Sequence, residues 1–228
     1  MSEQRVETTA RMRGGTVDRL VEGLRNGILM HRYAPGQVLI EADLTRDFGV
    51  SRGPLREAFR HLSAEGLLQL VPNRGALVRR LSRKEAEELF QIRTALEALA
   101  VRLAAKAIDQ GDNRQRFEAA IKAIWDESPR RSGPAYHEEN RLFHLAILDI
   151  CGNQKLVELS RQQQLPIIML QLSGVMTPAM YEDSVAEHRA VASAILAGDA
   201  DAAEAAMRQH MERASRITDA MPESVFRS

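Results

Sequence analysis

The sequence predicts a mainly α-helical chain in two parts: three helices closed by a two-stranded hairpin over residues 1–80, then an all-α six-helix bundle over residues 82–220. Three observations carry this expectation. Two short helical segments flank a tight turn at Gly49. Two short apolar runs follow Gly66, one on each side of Pro72-Asn73-Arg74-Gly75. Beyond Ser82 the apolar residues recur at three and four, the helical period, to the end of the chain.

The first helix is read from Thr16 to His31, where Val17, Leu20, Val21, Leu24, Ile28 and Leu29 share one face and Thr16 is available as the N-cap. Residues 1–14 are expected to be disordered. Tyr33-Ala34-Pro35-Gly36 ends this helix, and a short second one follows from Glu41 to Phe48. Ser51 can cap a third helix whose Pro54 falls in the first turn, where its missing N–H costs nothing, and which stops at Gly66. Leu67 to Val71 and Ala76 to Val78 read as a hairpin, which completes a winged helix-turn-helix. Ser82-Arg83-Lys84-Glu85 is a capping box, so the next helix begins directly behind the hairpin with almost no linker. Breaks at Gly111-Asp112-Asn113, Ser128 to Pro134, Cys151-Gly152-Asn153, Ser173 to Pro178 and Gly198-Asp199 divide the remainder into six helices. Pro166 lies inside one of them and predicts a kink, and residues 221–228 are read as a tail.

Of the 228 residues, 44% are apolar, 27% charged and 4% aromatic, a globular composition. The single cysteine, Cys151, excludes a disulfide framework and fits the cytoplasm. The N-terminus lacks an apolar leader core, and the greasiest stretch, Leu165 to Leu172, is far shorter than the roughly 20 residues needed to span a bilayer, so neither export nor a membrane partner is expected. The net charge of zero hides a polarity. Residues 1–80 hold 13 Arg, no Lys and 9 acids, net +4, and the remainder is net −4. A basic and an acidic half imply two tasks, and an all-arginine cationic set suits bidentate recognition of phosphates and guanines.

On a helical wheel the third helix places Leu55, Ala58, Phe59 and Leu62 on one side and Arg52, Gly53, Arg56 and Arg60 on the other. Arginines at i, i+4 and i+8 with no helical acid between them on that face call for an anionic partner. The ordinary fate of such a stripe is a solvated face. Here it opens the second helix of a helix-turn-helix, the part that reaches base edges in the major groove of double-stranded DNA.

The run Phe48-Gly49-Val50-Ser51-Arg52-Gly53-Pro54-Leu55-Arg56-Glu57-Ala58, with Leu62, Glu65-Gly66-Leu67 and Pro72-Asn73-Arg74-Gly75-Ala76, resembles the winged helix of GntR-family bacterial transcription regulators. That resemblance implies that Arg52 and Arg56 address bases or adjacent phosphates, that Gly53 lets the backbone approach the duplex, and that Arg74 and Gly75 set the wing against the minor groove. Gly53 replaces the more usual Thr or Ser. Arg60 lies toward the DNA backbone and is expected to contribute salt-dependent affinity.

In the second half, Asn140 and His144 stand at i and i+4 on one helix face. His188 lies about ten residues before Gly198 and His210 about eleven after Asp199, so on two antiparallel helices both sit about 15 Å from the turn and level with each other. Three imidazoles and one oxygen from three helices form a candidate site for Zn²⁺, Ni²⁺ or Mn²⁺ with positions left open. Taken singly, each histidine is more often a surface or satisfied core residue than a ligand. Glu139 points away from His144 on the wheel, and His137 is too far up the helix to share an ion.

Residues 82–218 resemble the ligand-binding domain of the FadR-type branch of the same family, the FCD domain, through Arg93-x-x-x-Glu97, Phe143-His144, Gly152-Asn153, His188-Arg189-Ala190 and His210. The resemblance implies a metal held by an Asp and three His, presented to a small carboxylate effector, and a homodimer on a palindromic operator. Asn140 occupies the Asp position, which weakens the metal site and moves its preference toward nitrogen-loving metals. Arg93 is assigned to the effector carboxylate, its alternative being a surface pair with Glu97. The reading is therefore a DNA-binding transcription regulator, a repressor in the first instance, under control of a small organic acid and a divalent transition metal. A histidine-ligated metalloenzyme is the alternative, against which stands the lack of a catalytic motif. A third reading is an effector-independent DNA-binding protein whose histidines are packed polar residues.

Overall fold

A computed structural model of the chain describes residues 3–29, 32–72, 74–126, 133–162 and 176–227. They fall into compact units that meet in sequence between Arg80 and Leu81.

The N-terminal unit contains α1 (Glu3–Leu29), β1 (Val38–Leu39), α2 (Glu41–Phe48), α3 (Arg52–Ala64), β2 (Leu68–Val71) and β3 (Gly75–Val78). The first helix extends further than expected. It runs from Glu3, so residues 3–14 are helical rather than disordered, and Thr16 lies inside the helix instead of capping it. Leu20, Leu24 and Ile28 of α1 and Leu55, Ala58, Phe59 and Leu62 of α3 are buried, and these helices pack on each other. Burial of each large aliphatic side chain is worth about 1.5–3 kcal/mol, which makes this seam the main support of the unit. Arg25 of α1 ties the seam off by donating through Nε and Nη2 to Glu65, at 3.1 and 2.6 Å.

Helix α2 has the expected bounds and ends at Gly49, whose left-handed backbone (φ 63°) lets its N–H reach the Arg46 carbonyl. Ser51 stands at the N-cap of α3 in extended backbone, but its hydroxyl makes no capping hydrogen bond, contrary to expectation. The hairpin pairs antiparallel with Leu68 opposite Val78 and Val71 opposite Gly75. A strand that sequence reasoning missed, β1, lies on the other side of β3, giving the order β1-β3-β2. Two residues are too short a run to show a strand period.

The C-terminal unit contains α4 (Arg83–Ala107), α5 (Asn113–Ala120), a 3-10 turn (Lys122–Trp125), α6 (Gly133–Ile150), α7 (Gln154–Gln162), α8 (Pro178–Leu196) and α9 (Ala200–Asp219). Six α-helices are thus present among the described residues of this unit. The expected capping box opens α4: the Ser82 hydroxyl accepts from the Glu85 N–H at 3.2 Å and the Glu85 carboxylate accepts from the Ser82 N–H at 2.8 Å. Asp199 caps α9 by accepting from the Ala202 N–H at 2.9 Å. Helix α4 packs along α9, α9 along α8, and α6 against α4. Pro166 and its expected kink lie outside the described residues.

Residues 221–227 do not form a loose tail. Phe226 is buried, its ring under the Arg83 guanidinium at 4.4 Å, and the Arg227 N–H donates to the Leu81 carbonyl at 3.0 Å. Arg83 also donates to the Asp219 and Met221 carbonyls, so the chain end is sewn to the start of α4. Among the described residues no helix is long and apolar enough to cross a membrane.

Candidate functional site

The basic face of the N-terminal unit follows from the amphipathic period of α3. Its apolar side is committed to α1, which leaves Arg52, Gly53, Arg56 and Arg60 exposed together on the opposite side. The expectation that an anionic partner alone relieves their repulsion needs correction. Arg56 donates through Nε and Nη2 to the Oε1 and Oε2 of Glu41 on α2, at 2.8 and 3.0 Å, which raises its already high pKa. Arg60 pairs with Glu57 one turn back on its own helix. Among the described residues no carboxylate pairs with Arg52.

A Cβ added at Gly53 would meet nothing within 4 Å, so the protein's own packing does not require glycine there. Arg74 is exposed in the β2–β3 turn. Gly75, expected against DNA, is buried instead. Its φ is 106°, and an added Cβ would stand 2.1 Å from the Leu39 carbonyl oxygen and 3.4 Å from the Glu41 nitrogen. Close passage of β1 accounts for this glycine.

In the C-terminal unit, α6, α8 and α9 bring His144, His188 and His210 together. One ring nitrogen from each lies within 4.8 Å of the others, and all three side chains are buried. Ring centroids are 4.7 Å apart for His188 and His210 and 5.6 Å for His144 and His188. Their helices and levels are those expected from the spacing around Gly198. Asn140 is also buried, one turn before His144 on α6. His137 packs edge-on to Tyr181 at 6.5 Å between centroids.

Carboxylates orient two of these rings. His144 Nδ1 is 3.1 Å from Glu97 Oε2, and His210 Nδ1 is 2.8 Å from Glu187 Oε2, leaving Nε2 of each as the free nitrogen. Glu187 is itself held by Arg213, whose Nε donates to it at 2.5 Å. Burial alone would raise the Glu97 carboxyl, but His144, Arg93 and His210 outweigh it and hold Glu97 down at about 2. His188 is driven well below its ordinary range by burial, then by His210 and His144, so it is a neutral imidazole. Burial also lowers His210 against the opposing pull of Glu187.

His188 carries the test of whether a metal fits. It is completely buried, and neither of its ring nitrogens has a hydrogen-bond partner among the described residues. Leaving such a group unpaired costs about 1–3 kcal/mol, and a metal would satisfy one nitrogen. Buried imidazoles whose far nitrogens face carboxylates are the donor set that Zn²⁺, Ni²⁺ and similar ions take. The residues present fit the ion.

The sequence offers Arg93 two roles, and the structure alters one of them. Its partner is Glu97, at 3.6 Å between Nη2 and Oε1, but the pair is buried, with 6% and 9% of the two side chains exposed. It is therefore no surface pair; it backs the carboxylate that orients His144. Sequence reasoning missed the roles of Glu97 and Glu187 because each contact joins two helices, and no spacing along one helix encodes it.

Comparison with known proteins agrees with both halves. Residues 16–78 match the model of the bacterial regulatory proteins of the gntR family, and residues 88–213 match the FCD domain. The chain is 30% identical over 186 residues, 81% of this chain and 80% of the other, to a Paenarthrobacter nicotinovorans protein named "Probable D-xylose utilization operon transcriptional repressor". It is 29% identical over 200 residues, 82% and 89% of the two chains, to the HTH-type transcriptional repressor GlaR of Escherichia coli K12. Similar solved folds include a GntR transcriptional regulator of Rhodococcus sp. RHA1 (TM-score 0.75, 22% identity, 90% of this chain and 99% of that one). E. coli McbR/YncC is another (TM-score 0.71, 20% identity, 90% and 97%). These relatives are regulators of transcription and not enzymes, so the metalloenzyme alternative falls away. The chain belongs to the gntR family of bacterial regulatory proteins, as a DNA-binding transcription regulator with a C-terminal FCD domain.

Proposed function

We propose that this protein is a cytoplasmic, homodimeric repressor that binds operator DNA and whose operator affinity is set by a small organic acid held in the helical unit with a divalent transition metal. The observation that carries the reading is the convergence of His144, His188 and His210, two of them oriented by buried carboxylates and the third without any partner. Repression is supported by the names of the relatives from P. nicotinovorans and E. coli.

In this reading His144, His188, His210 and Asn140 hold Zn²⁺, Ni²⁺ or Mn²⁺. The ion supplies open positions for a carboxylate, and an all-neutral ligand set leaves its double charge undiminished, which favours an anion beside it. Glu97 and Glu187 fix the ring orientations. Arg93, engaged by one long contact rather than a bidentate pair, takes the effector's carboxylate as well as Glu97.

On the DNA side Arg52, Gly53 and Arg56 of α3 enter the major groove, Arg60 meets the DNA backbone, and Arg74 at the wing tip reaches the adjacent minor groove, with the buried Gly75 shaping the wing. A homodimer is supported by α4, which exposes Ile92 at 50% and Leu99 at 43%, with Leu89, Leu96 and Leu103 half-buried along the same stripe. Because the two units follow one another in sequence at Arg80 and Leu81 without a linker, repacking of the bundle has a short covalent path to the winged helix.

The test is operator affinity by fluorescence anisotropy, using a duplex selected from a random pool, with metal-loaded protein and a panel of small mono-, di- and tricarboxylates. At least one acid is expected to shift Kd about tenfold or more, equivalent to about 1.4 kcal/mol of coupling. The same Kd in every acid, with and without metal, overturns ligand control and leaves an effector-independent DNA-binding protein. Sedimentation at micromolar concentration checks the dimer, and a monomer there contradicts the coupling.

A further inference from the structure

We propose that Glu41, at the start of α2, is a positioning residue for operator recognition: it clamps the Arg56 guanidinium so that one predetermined edge faces the bases. This rests on the reading that α3 enters the major groove.

The geometry defines which edge is used up. Glu41 accepts from Nε and Nη2 of Arg56, at 2.8 and 3.0 Å, the planar fork-to-fork pairing that fixes a guanidinium in both direction and plane. Two of the five N–H donors are committed. The remaining three include the adjacent pair at the Nη1 and Nη2 end, the arrangement that donates to O6 and N7 of one guanine. More than half of the Arg56 side chain is exposed, whereas Glu41 is 19% exposed, so the arginine is the reachable partner and the carboxylate the fixed one.

Glu41 is itself held in place by its neighbours. It follows β1 after the single residue Ile40, and β1 pairs with β3 through Leu39 opposite Ala76. The bare Cα of Gly75 lets that strand close in, since a Cβ there would stand 2.1 Å from the Leu39 oxygen and 3.4 Å from the Glu41 nitrogen. The wing strand thus sets Glu41, and Glu41 sets Arg56.

A carboxylate on a DNA-facing surface repels phosphates, so it lowers affinity for DNA of any sequence. The return is specificity. An unclamped arginine samples many rotamers and satisfies whichever phosphate or base lies near, whereas a clamped one rewards only the base its edge fits.

The test measures Kd of the full-length protein for a duplex selected from a random pool by the wild type and for a random duplex of the same length. Wild type, Glu41→Ala, Glu41→Gln, Arg56→Ala and the Glu41→Ala/Arg56→Ala double variant are compared. Glu41→Ala is expected to bind the random duplex as well as or better than wild type while the ratio of the two affinities falls roughly tenfold. Glu41→Gln, which keeps one acceptor and the helix start, is expected to fall between, and it carries the test if Glu41→Ala fails to fold. In the Arg56→Ala background removal of Glu41 is expected to leave the ratio where Arg56→Ala put it. An unchanged ratio in both Glu41 variants overturns the proposal, as does an equal fall in the Arg56→Ala background. A full ratio in Arg56→Ala itself overturns the assignment of Arg56 to the bases, and the Glu41 proposal with it.

Discussion

Replacement of Gly53 by alanine separates a demand of the fold from a demand of DNA. Gly53 is the second residue of α3, is exposed, has no left-handed backbone angle, and offers open space to an added Cβ. Glycine within a helix costs about 0.5–1 kcal/mol relative to alanine, and near the first turn the lower figure applies, so Gly53→Ala should stabilise the winged-helix unit by about 0.5 kcal/mol. For a unit of this size that is a rise of about 2–4 °C in its Tm. If the duplex backbone packs on Gly53, the same methyl group, about 1.5 Å out from the Cα, must push it away. The cost should be about tenfold in Kd, or about 1.4 kcal/mol. No charge changes, so the slope of log Kd against log salt should match the wild type. Circular dichroism melts and anisotropy titrations at several salt concentrations provide both readings. Operator affinity within twofold of wild type in a protein that melts higher would refute the close approach.

Arg52→Ala, at the exposed start of α3 with no carboxylate partner among the described residues, should flatten the difference between operator and random duplex, with a loss of about 1–3 kcal/mol of discrimination. Retention of a full specificity ratio, measured by competition titration, contradicts that role. Removal of a metal present at a hundredfold its Kd should cost about 2.7 kcal/mol of stability. That corresponds to a fall of about 5–10 °C in the Tm of the helical unit on chelation, checked by scanning calorimetry, and an unchanged melt speaks against a bound ion. Phe226→Ala should destabilise the same unit by about 3 kcal/mol or more, because the ring is buried and stacks under Arg83. If instead the variant melts like the wild type, residues 221–227 add nothing to the core.

What could be read in the sequence was what local chemistry determines. The bounds of α2, the capping box at Ser82, the glycine stop at Gly49 and the burial of Leu55, Ala58, Phe59 and Leu62 all follow from residues within one or two turns of each other. Even the meeting of His188 and His210 was accessible, because a tight antiparallel turn converts counting from Gly198 into height along two helices. The contacts that escaped join elements distant in the chain. Glu97 reaches His144, Glu187 reaches His210 and Glu41 reaches Arg56, each across a helix–helix boundary. The packing role of Gly75 is hidden for the same reason. Its sequence context fits a groove-facing wing, and only the passage of β1, two residues long, shows what the missing side chain makes room for. Residues 221–227 offered no helical period, yet an aromatic ring and an arginine suffice to fold them back on α4.

The histidine cluster decides the function proposed for the helical unit, and metal stoichiometry is its decisive test. Elemental analysis of untagged protein, purified without chelator and then incubated with Zn²⁺, Ni²⁺ or Mn²⁺, should find about one ion per protomer, and His188→Leu, which removes the unpartnered imidazole, should reduce that to near zero. A ratio near zero in the wild type with all three ions would contradict the metal centre and leave Asn140, His144, His188 and His210 as packed polar residues.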